Sequence, residues 1–334
     1  MASLDQVIDI VERILDPVYL VGGSVRDSIM HKSSPDFDFT SPLLPDDIEQ
    51  RVKEAGYRTY LVGKRFGTIG FTIDGQGIEV TTHRFEKYLP GNRKPKVEYV
   101  TELEQDLSRR DFTINAMALR KGELFDPFKG QLDIEKKIIR TVGKAIDRFQ
   151  EDPLRMLRAA RFAAQLQFTL DSETAEALAK QNYHILSVSK ERWVQELDAL
   201  LLSDKPSRGL EVLASSRLLN FILPELSLQV GYDQNSPYHQ FELWEHTKKV
   251  VDKCPQDIVT RWTALLHDVG KPFTRTQKPG RSNYIYHDLV GKEIAWKIGS
   301  YLHFSNERLE AVSQMVGEHM KSDSPLRLYD NESK

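Results

Sequence analysis

The chain has 334 residues, 40% apolar and 28% charged, which excludes an intrinsically disordered protein and leaves room for two or three domains. Its net charge of −3 excludes a protein that coats nucleic acid indiscriminately, and its single cysteine, Cys254, excludes an internal disulfide and a zinc site of clustered thiolates. The N-terminal stretch is acidic and no apolar run approaches the roughly 20 residues of a membrane span, so we expect a cytoplasmic protein without a membrane partner.

The first motif is a buried strand, VYLVGG, that runs into Gly22 and Gly23 and then into a helix opened by Ser24. Such a junction presents backbone N–H groups to a phosphate, and Arg26 on the first helical turn can add further donors. Any tight strand-to-helix turn also favours glycine, so the pair alone is weak evidence. The motif gains weight only from those that follow it.

Acidic residues recur on two predicted strands. In PDFDFTSP, Asp36 and Asp38 are two residues apart, which places both carboxylates on one face while Phe37 and Phe39 point to the other. Glu79, in GIEVTT, has apolar neighbours, where an inward carboxylate without a metal would be costly. Since Mg²⁺ prefers hard oxygen ligands, we expect these acids to hold two Mg²⁺ ions. The alternative is a surface turn with solvated acids.

Secondary-structure patterning changes along the chain. From Val18 to Val100, short apolar strands mix with helical stretches such as PDDIEQRVKEAG, which predicts an α/β module. After Asp133, apolar residues recur at three- and four-residue spacing through RMLRAARFAAQLQF, SETAEALAKQ and ERWVQELDALLL, so the remainder is predicted to be mostly helical. Breaks at 204–208 and 231–237 are candidate boundaries.

The segment DLSRRDFTINAMAL gathers Arg109, Arg110 and Asp111, with Asn115 one helical turn beyond Asp111. Arginines bind triphosphate oxygens bidentately, and a nearby acid or amide can accept or donate to a ribose 2′-hydroxyl. The segment therefore predicts a nucleotide site. A purely structural salt-bridge cluster would have the same composition.

A basic stretch from Lys136 to Arg161 carries eight Lys/Arg against three acids, which makes it the expected centre of polyanion binding. Within it, EDPLRMLRAARF spaces Asp152, Arg155 and Arg158 along one helix face. A carboxylate accepts and a guanidinium donates, so this pair matches the amino group and ring nitrogen of cytosine or adenine and mismatches uracil and guanine. The alternative is an exposed i,i+3 salt bridge.

The ordered motifs GGSVRD, DFDFT, IEVTTHR, DLSRRDFTINAMA, FDPFKGQLDIEKKIIRTVG and EDPLRMLRAARF resemble the bacterial-type (class II) tRNA nucleotidyltransferases and their poly(A) polymerase relatives, over about residues 18–225. The head also resembles the polymerase beta-like superfamily. The resemblance implies an α/β head of about five strands, followed by an all-α neck, body and HD-like region. We divide the chain accordingly at residues 1–132, 133–202 and 203–334.

The resemblance further implies template-independent addition of C and A to tRNA 3′ ends from CTP and ATP, with the tRNA acceptor end as partner and no role for DNA. It implies catalytic, metal-binding acids at Asp36, Asp38 and Glu79. It also implies nucleotide-binding residues spread over the head and neck motifs: Gly22, Gly23, Arg26, Asp27, Arg109, Arg110, Asp111, Asn115, Asp152, Arg155, Arg158 and Arg161.

Between Arg84 and Val100 the family carries a flexible loop that helps switch specificity from C to A. This chain retains Arg84, Tyr88, Arg93 and Pro95 but has Pro90-Gly91 where an acid is expected. A loop of near-family length argues against a CC-only enzyme. The altered position leaves an A-adding enzyme or a poly(A) polymerase open.

Histidines cluster late in the chain, in a pattern that resembles HD-type metal phosphohydrolases. His267 and Asp268 form the HD pair, and imidazole plus carboxylate suits a divalent transition metal. The expected second metal site comprises His246, His267, Asp268, His287 and His319. The family's last aspartate ligand is expected further on, which leaves truncation and a degenerate HD fold open; His303 is assigned to the surface.

A function from a different class is a metal phosphohydrolase centred on His246, His267 and Asp268. In that case the N-terminal half would be an RNA-binding module. Replacing Asp36 and Asp38 by alanine separates the two hypotheses, since only the nucleotidyltransferase would lose its main activity.

Overall fold

A computed structural model of the chain describes residues 4–32, 37–89, 92–235 and 241–321, together with Ser324, Leu326 and Tyr329. The chain folds into two compact units, Met1–Glu151 and Asp152–Lys334. The division expected from the sequence, with a separate neck and body, stays a prediction.

The first unit mixes helices and strands, as the sequence predicts. Its helices are α1 (Leu4–Leu15), α2 (Gly23–Ile29), α3 (Pro45–Glu54), α4 (Leu103–Ser108), α5 (Gly130–Glu135) and α6 (Ala145–Glu151). Its strands are β1 (Tyr19–Val21), β2 (Phe37–Ser41), β3 (Thr59–Tyr60), β4 (Thr68–Ile73), β5 (Gln76–Thr82), β6 (Arg84–Leu89), β7 (Asn92–Tyr99), β8 (Ala118–Arg120), β9 (Glu123–Phe125) and β10 (Ile138–Ile139).

A seven-stranded mixed sheet in the order β3-β4-β5-β2-β1-β8-β9 forms the centre of this unit. Only the β2–β5 pair is parallel; the other neighbours are antiparallel. The resemblance implies about five strands, and the sheet has seven. The short edge strands β3 and β9 each close an antiparallel pair with their neighbour in sequence.

Alternating burial along the central strands explains why one face of the sheet packs and the other stays open. In β4, Ile69, Phe71 and Ile73 are buried while the intervening residues are partly exposed. Helices α1 and α3 contribute apolar stripes at helical spacing, such as Val7 and Val11 in α1. This packing leaves the polar residues of the central strands on the open face.

The second unit is predominantly helical. Its helices are α7 (Leu154–Leu166), α8 (Ser172–Gln181), α9 (Lys190–Leu201), α10 (Pro206–Ser215), α11 (Leu219–Ile222), α12 (Pro224–Ser227), α13 (Leu243–Lys253), α14 (Ile258–Leu266), α15 (Lys271–Thr274), α16 (His287–Tyr301) and α17 (Asn306–Glu318). Its short strands are β11 (Thr169–Leu170), β12 (Thr276–Lys278) and β13 (Arg281–Asn283). The periodicities that predicted helices over 155–168, 172–181 and 191–202 are confirmed by α7, α8 and α9.

Several helix starts in this unit follow from capping side chains. Asp171, Asp257 and Ser305 each accept a hydrogen bond from a backbone N–H in the first turn of α8, α14 and α17. Within the described residues, no helix combines the length and apolar content needed to cross a membrane.

Candidate active site

Two of the three expected catalytic acids meet at the centre of the sheet. Asp38 on β2 and Glu79 on β5 are direct partners in the parallel ladder, and both are exposed on the open face. Residues in register on neighbouring strands point to the same side, so the two carboxylates lie next to each other. Like charges so placed repel, and a divalent cation offsets that repulsion.

The alternation expected around these acids holds where it is described. Phe37 and Phe39 are buried, with Asp38 exposed between them, and Ile78 and Val80 are buried on either side of Glu79. The inward Glu79 considered from the sequence is wrong, because strand alternation turns this carboxylate to the open face. Asp36, the remaining acid, lies outside the described residues.

The Gly-Gly turn lies beside Asp38. Gly22 precedes α2 and has a φ of 72°, a backbone conformation that L side chains rarely adopt. A Cβ placed on it would come within 3.1 Å of Arg110 Nη1 and 4.0 Å of Asp38 Oδ2. The expected phosphate turn, one of the expected catalytic acids and one of the expected triphosphate-binding arginines therefore lie close together.

A buried carboxylate that the sequence reading missed holds the arginine pair. Asp106 on α4 is fully buried and accepts hydrogen bonds from Arg109 (Nη2, 2.7 Å) and Arg110 (Nη2, 3.3 Å) and from the backbone N–H of Arg84 (3.2 Å). Burial alone would raise the pKa of Asp106, but the guanidinium groups of Arg110 and Arg109 outweigh it and hold the pKa below its usual value. The signal was present as an i, i+3, i+4 spacing in EQDLSRRD.

The segment from Arg84, where the resemblance implies a flexible loop, forms an antiparallel hairpin, β6–β7. In its register Phe85 pairs with Glu98. Glu86 in this hairpin pairs with Arg84 (3.1 Å) and Arg109 (3.2 Å), so an acid–base pair occurs here. Pro90 and Gly91, where an acid was expected, lie outside the described residues.

Arg26 connects the Gly-Gly helix to the Arg-Arg-Asp segment. Its guanidinium donates to Asp27 Oδ1 (2.7 Å) and to Asn115 Oδ1 (2.7 Å), and Asn115 in turn donates to Asp111 Oδ1 (3.2 Å). Arg26, Asp111 and Asn115 are all buried. In the structure Arg26 orients Asn115 and, through it, Asp111, with Gly23 close by. The phosphate contact expected of Arg26 stays a prediction.

The proposed base-reading residues belong to the second unit. Pro153 lies immediately before α7, and the Asp152 carboxylate accepts hydrogen bonds from the backbone N–H of Leu154 (3.2 Å) and from Arg192 Nη2 (3.3 Å). Arg155 is buried on the first turn of α7, three residues on. Leu154 and Leu157 are buried as predicted.

The remaining arginines of this helix face a neighbouring helix. Arg161 Nε lies 2.7 Å and Arg158 Nη1 3.8 Å from the carboxylate of Glu196 on α9. Arg161 also lies over the ring of Phe162, 4.4 Å from its centroid. Their expected contact with nucleotide stays a prediction, and both have a structural partner.

All five expected ligands of the HD-like site come together around Asp268. Its Oδ2 lies 3.1 Å from His267 Nε2, 3.5 Å from His246 Nε2 and 2.7 Å from Lys271 Nζ, and its Oδ1 lies 3.4 Å from His287 Nε2 and 3.8 Å from His319 Nε2. All are buried. His303 lies elsewhere, exposed and 2.8 Å from Glu191.

The imidazoles of this cluster are oriented for metal binding. The Nδ1 atoms of His267, His287 and His319 lie 2.6 to 2.8 Å from the backbone carbonyls of Ala264, Tyr284 and Val316, which fixes each tautomer with Nδ1–H donating. The Nε2 lone pairs then point at one another, 3.2 Å apart for His287 and His319. Burial lowers the pKa of His319 to about 4, so this ring is neutral near pH 7. Four converging imidazoles and a carboxylate are a donor set suited to a divalent metal.

A pocket of about 550 Å³ opens on the sheet beside the acids, and several of the residues that line it were not predicted from the sequence. Besides Asp38 and Glu79, it is lined by Tyr60, Gly70 and Thr72. No motif marked Tyr60 or Gly70, since their position depends on strand register, which a single sequence does not reveal.

Three family models match the chain in order. They are the poly A polymerase head domain over residues 18–140, a "probable RNA and SrmB-binding site of polymerase A" over 167–229 and the HD domain over 238–332. The head model spans the acid pair and the Gly-Gly turn. The HD model spans the histidine cluster.

Bacterial CCA-adding enzymes are among the proteins that are similar in sequence. A CCA-adding enzyme of Bacillus subtilis is 46% identical over 202 residues, which is 60% of this chain and 50% of that protein. A CCA-adding enzyme of Staphylococcus epidermidis is 40% identical over 269 residues, 76% of this chain and 66% of that protein. The match thus spans half to two thirds of these relatives.

A solved structure extends the similarity over the whole chain. The Bacillus stearothermophilus CCA-adding enzyme in complex with CTP superposes with a TM-score of 0.64 at 26% identity, covering 100% of this chain and 82% of that one. The shared fold therefore includes the head, the helical region and the HD domain.

Proposed function

Because the chain belongs to the poly A polymerase head-domain family of nucleotidyltransferases and resembles its CCA-adding members, we propose that it adds cytidylate and adenylate to tRNA 3′ ends, using CTP and ATP and releasing pyrophosphate. The observation that carries the proposal is the pairing of Asp38 with Glu79 beside Gly22 and Arg110. Nucleotidyl transfer needs a pair of carboxylates that bind metal and a cationic site that binds phosphate, and this arrangement contains both.

Asp38 and Glu79, with Asp36, would hold two Mg²⁺ ions. When bound, these ions would lower the pKa of the attacking 3′-hydroxyl and balance charge on the triphosphate. The exposed carboxylates on adjacent strands fit such hard cations.

The chain's own groups bind and orient the reactants. Arg110, held by Asp106, donates to the triphosphate beside the turn at Gly22. The 3′-oxygen of the RNA attacks the α-phosphorus, forming one P–O bond while the bond to the pyrophosphate oxygen breaks. Asp111, oriented by Asn115, accepts a hydrogen bond from the ribose 2′-hydroxyl.

The base is read by one acceptor and one donor. Asp152 accepts from the amino group of cytosine or adenine, and Arg155 donates to the adjacent ring nitrogen. Uracil and guanine offer the opposite pattern and leave buried polar groups unpaired, which costs about 1–3 kcal/mol for each group. In the structure Arg192 donates to Asp152, which fixes this carboxylate beside the first turn of α7.

The test is an extension assay on tRNA transcripts that end before CCA, after CC and after CCA, each with Mg²⁺ and CTP, ATP or both. CCA addition predicts that the first transcript gains three nucleotides only when both triphosphates are present, and that the complete CCA end is not extended.

Two outcomes would keep nucleotidyl transfer as the reaction but change the product from CCA. Extension of only the CC-ending transcript would identify an A-adding enzyme. Continued growth with ATP alone would identify a poly(A) polymerase. Absence of transfer to every transcript would contradict the proposal altogether.

A second function, metal-dependent phosphohydrolysis, is favoured by one observation, the convergence of four imidazoles on Asp268. A divalent transition metal held there would supply a water nucleophile at neutral pH. Lys271, 2.7 Å from Asp268, offers a cation for a phosphate oxygen. The test is hydrolysis of 2′,3′-cyclic AMP or p-nitrophenyl phosphate with added Ni²⁺ or Mn²⁺. We expect His267→Ala to lose this hydrolysis while nucleotide addition stays intact. Absence of hydrolysis by the wild type would contradict the second function.

A further inference from the structure

A row of four residues crosses the open face of the sheet. Tyr60 on β3 pairs with Gly70 on β4, Gly70 with Glu79 on β5, and Glu79 with Asp38 on β2. Residues in register across neighbouring strands share a face. The row therefore runs in a straight line from an aromatic ring at the sheet edge to the acid pair.

Gly70 leaves a gap in this row. A Cβ built on Gly70 would make only ordinary contacts, the nearest at 3.7 Å from Tyr60, so the glycine is not required by crowding. Its φ lies outside the left-handed region, so it is not required by backbone conformation either. What its missing side chain does provide is a flat backbone floor between Tyr60 and Glu79, continued by Gly77 on β5.

The far wall of this gap has the chemistry of a base-stacking surface. Tyr60 is 58% exposed, and its hydroxyl lies 3.3 Å from the hydroxyl oxygen of Thr72, which lines the same pocket. The chain that follows is exposed and cationic, with Arg65 4.6 Å from the ring centroid of Phe66, itself 54% exposed. Aromatic rings next to basic groups are typical of surfaces that bind single-stranded nucleic acid.

Asp38 separates this gap from the phosphate-binding turn. Gly22 and Arg110 lie beside Asp38 on the β1 side, whereas Glu79, Gly70 and Tyr60 lie on its β5 side. In-line transfer needs the attacking 3′-oxygen on the side of the α-phosphorus opposite the leaving pyrophosphate, so the acceptor approaches the metal-binding acids from another direction than the triphosphate tail. With the triphosphate at Gly22, the β5 side is left for the acceptor.

We propose that the gap over Gly70 binds the 3′-terminal nucleoside of the acceptor RNA, with its base stacked on Tyr60 and its ribose beside Glu79. The site rests on the proposed nucleotidyl transfer and adds to it the place of the RNA end. In this site Tyr60 binds the acceptor strand and does not bind the incoming triphosphate. The ring, and not the hydroxyl, provides the binding.

The test is steady-state kinetics with a tRNA transcript ending before CCA, varying tRNA and CTP separately. Tyr60→Ala is expected to raise KM for tRNA about tenfold while KM for CTP stays within about twofold. Tyr60→Phe keeps the ring and is expected to stay within about twofold for both. Gly70→Val fills the gap without a backbone clash and is expected to raise KM for tRNA at least as much as Tyr60→Ala.

Tyr301→Ala is the matched control, because Tyr301 is a comparably exposed tyrosine in the second unit. Circular dichroism and thermal unfolding of each variant separate loss of fold from loss of binding. Unchanged KM for tRNA in both Tyr60→Ala and Gly70→Val would overturn the acceptor site, as would a rise confined to KM for CTP. Failure of the wild type to extend any tRNA would contradict the proposed function itself.

Discussion

The carboxylates of Asp38 and Glu79 lie side by side on the one parallel strand pair of the sheet, and Asp38 also lies 4.0 Å from the Cβ position of Gly22. Two acids in register are unfavourable for sheet stability, because like charges on directly opposite residues repel. They lie next to a turn that precedes a helix and next to Arg110, which the buried carboxylate of Asp106 holds, and such a position suits a site for cations and phosphates. The predictions below test the parts of that arrangement separately.

Gly22→Ala should impair triphosphate binding. The substitution strains a backbone at φ 72° and ψ −135°, a region that is favoured only for glycine, and places a Cβ 3.1 Å from Arg110 Nη1. Gly122→Ala is the control for adding a Cβ at a positive φ, 78°, because nothing lies within 4 Å of that Cβ. We expect Gly22→Ala to raise KM for CTP several-fold over Gly122→Ala; equal values in the two variants would mean that the Arg110 contact has no role.

Asp106→Asn should destabilise the first unit and displace Arg110. Removing one partner of a buried charge network costs about 3 kcal/mol, so urea unfolding at pH 7 should show a loss of that size. Asp16→Asn, which breaks an exposed pair with Arg120, should cost less than about 1 kcal/mol. A loss no larger than that of Asp16→Asn would show that Asp106 does not hold the arginines.

The same variant carries a pH dependence whose sign follows from the lowered pKa of Asp106. A carboxyl with a depressed folded-state pKa stabilises the protein above its unfolded value of 3.8, and that contribution is lost as the pH falls through the folded value. The stability difference between wild type and Asp106→Asn should therefore stay constant from pH 7 to pH 5 and shrink below 3.8. A stability difference that disappears near pH 6 would mean that a group other than Asp106 causes the pH dependence.

Asp152→Asn should relax base selection. The amide keeps one oxygen to accept from the backbone N–H of Leu154 but presents an N–H donor where cytosine and adenine require an acceptor. The ratio of kcat/KM for CTP over UTP should fall at least about tenfold, as expected for unpaired buried polar groups. Asp147→Asn, an exposed acid on α6, should leave the ratio unchanged, and an unchanged ratio in Asp152→Asn would exclude that carboxylate as the reader.

Metal should bind and stabilise the histidine cluster. Saturation at about 100 times the dissociation constant would raise the free energy of unfolding by about 2.7 kcal/mol, visible as a higher Tm with added Mn²⁺ or Ni²⁺. His246→Ala should abolish the metal-dependent rise and the metal measured by mass spectrometry, whereas His303→Ala should retain both. A metal response that survives in His246→Ala would place the ion elsewhere.

Much of the head site is predictable from sequence because its chemistry is carried by short, ordered motifs. Strand alternation puts Asp38 opposite Phe37 and Phe39, and the turn residues Gly22 and Gly23 precede a helix, as the structure has them. Helical periodicity likewise predicts α7 with Leu154 and Leu157 inside. These inferences need only local geometry.

The remainder depends on tertiary contacts that local patterns do not specify. Asn115 reaches the guanidinium of Arg26 from 89 positions along the chain, a contact that the motif around Arg26 does not indicate. Strand alternation turns Glu79 to the open face, but only the register of β2 and β5 places it beside Asp38. The alignment of Tyr60 and Gly70 with the acids depends on the register of three strand pairs at once, and a shift by one residue would turn the whole row over.

The most direct test of the carboxylate pair is single-turnover addition of CTP to a tRNA ending before CCA by wild type, Asp38→Asn, Glu79→Gln and the control Asp74→Asn, an exposed acid at a turn whose φ of 48° asparagine tolerates. We expect Asp38→Asn and Glu79→Gln to lose transfer by at least about a thousandfold. Stability in both should change by less than about 0.5 kcal/mol, since both residues are exposed. Transfer by either variant within about tenfold of the Asp74→Asn rate would contradict the account.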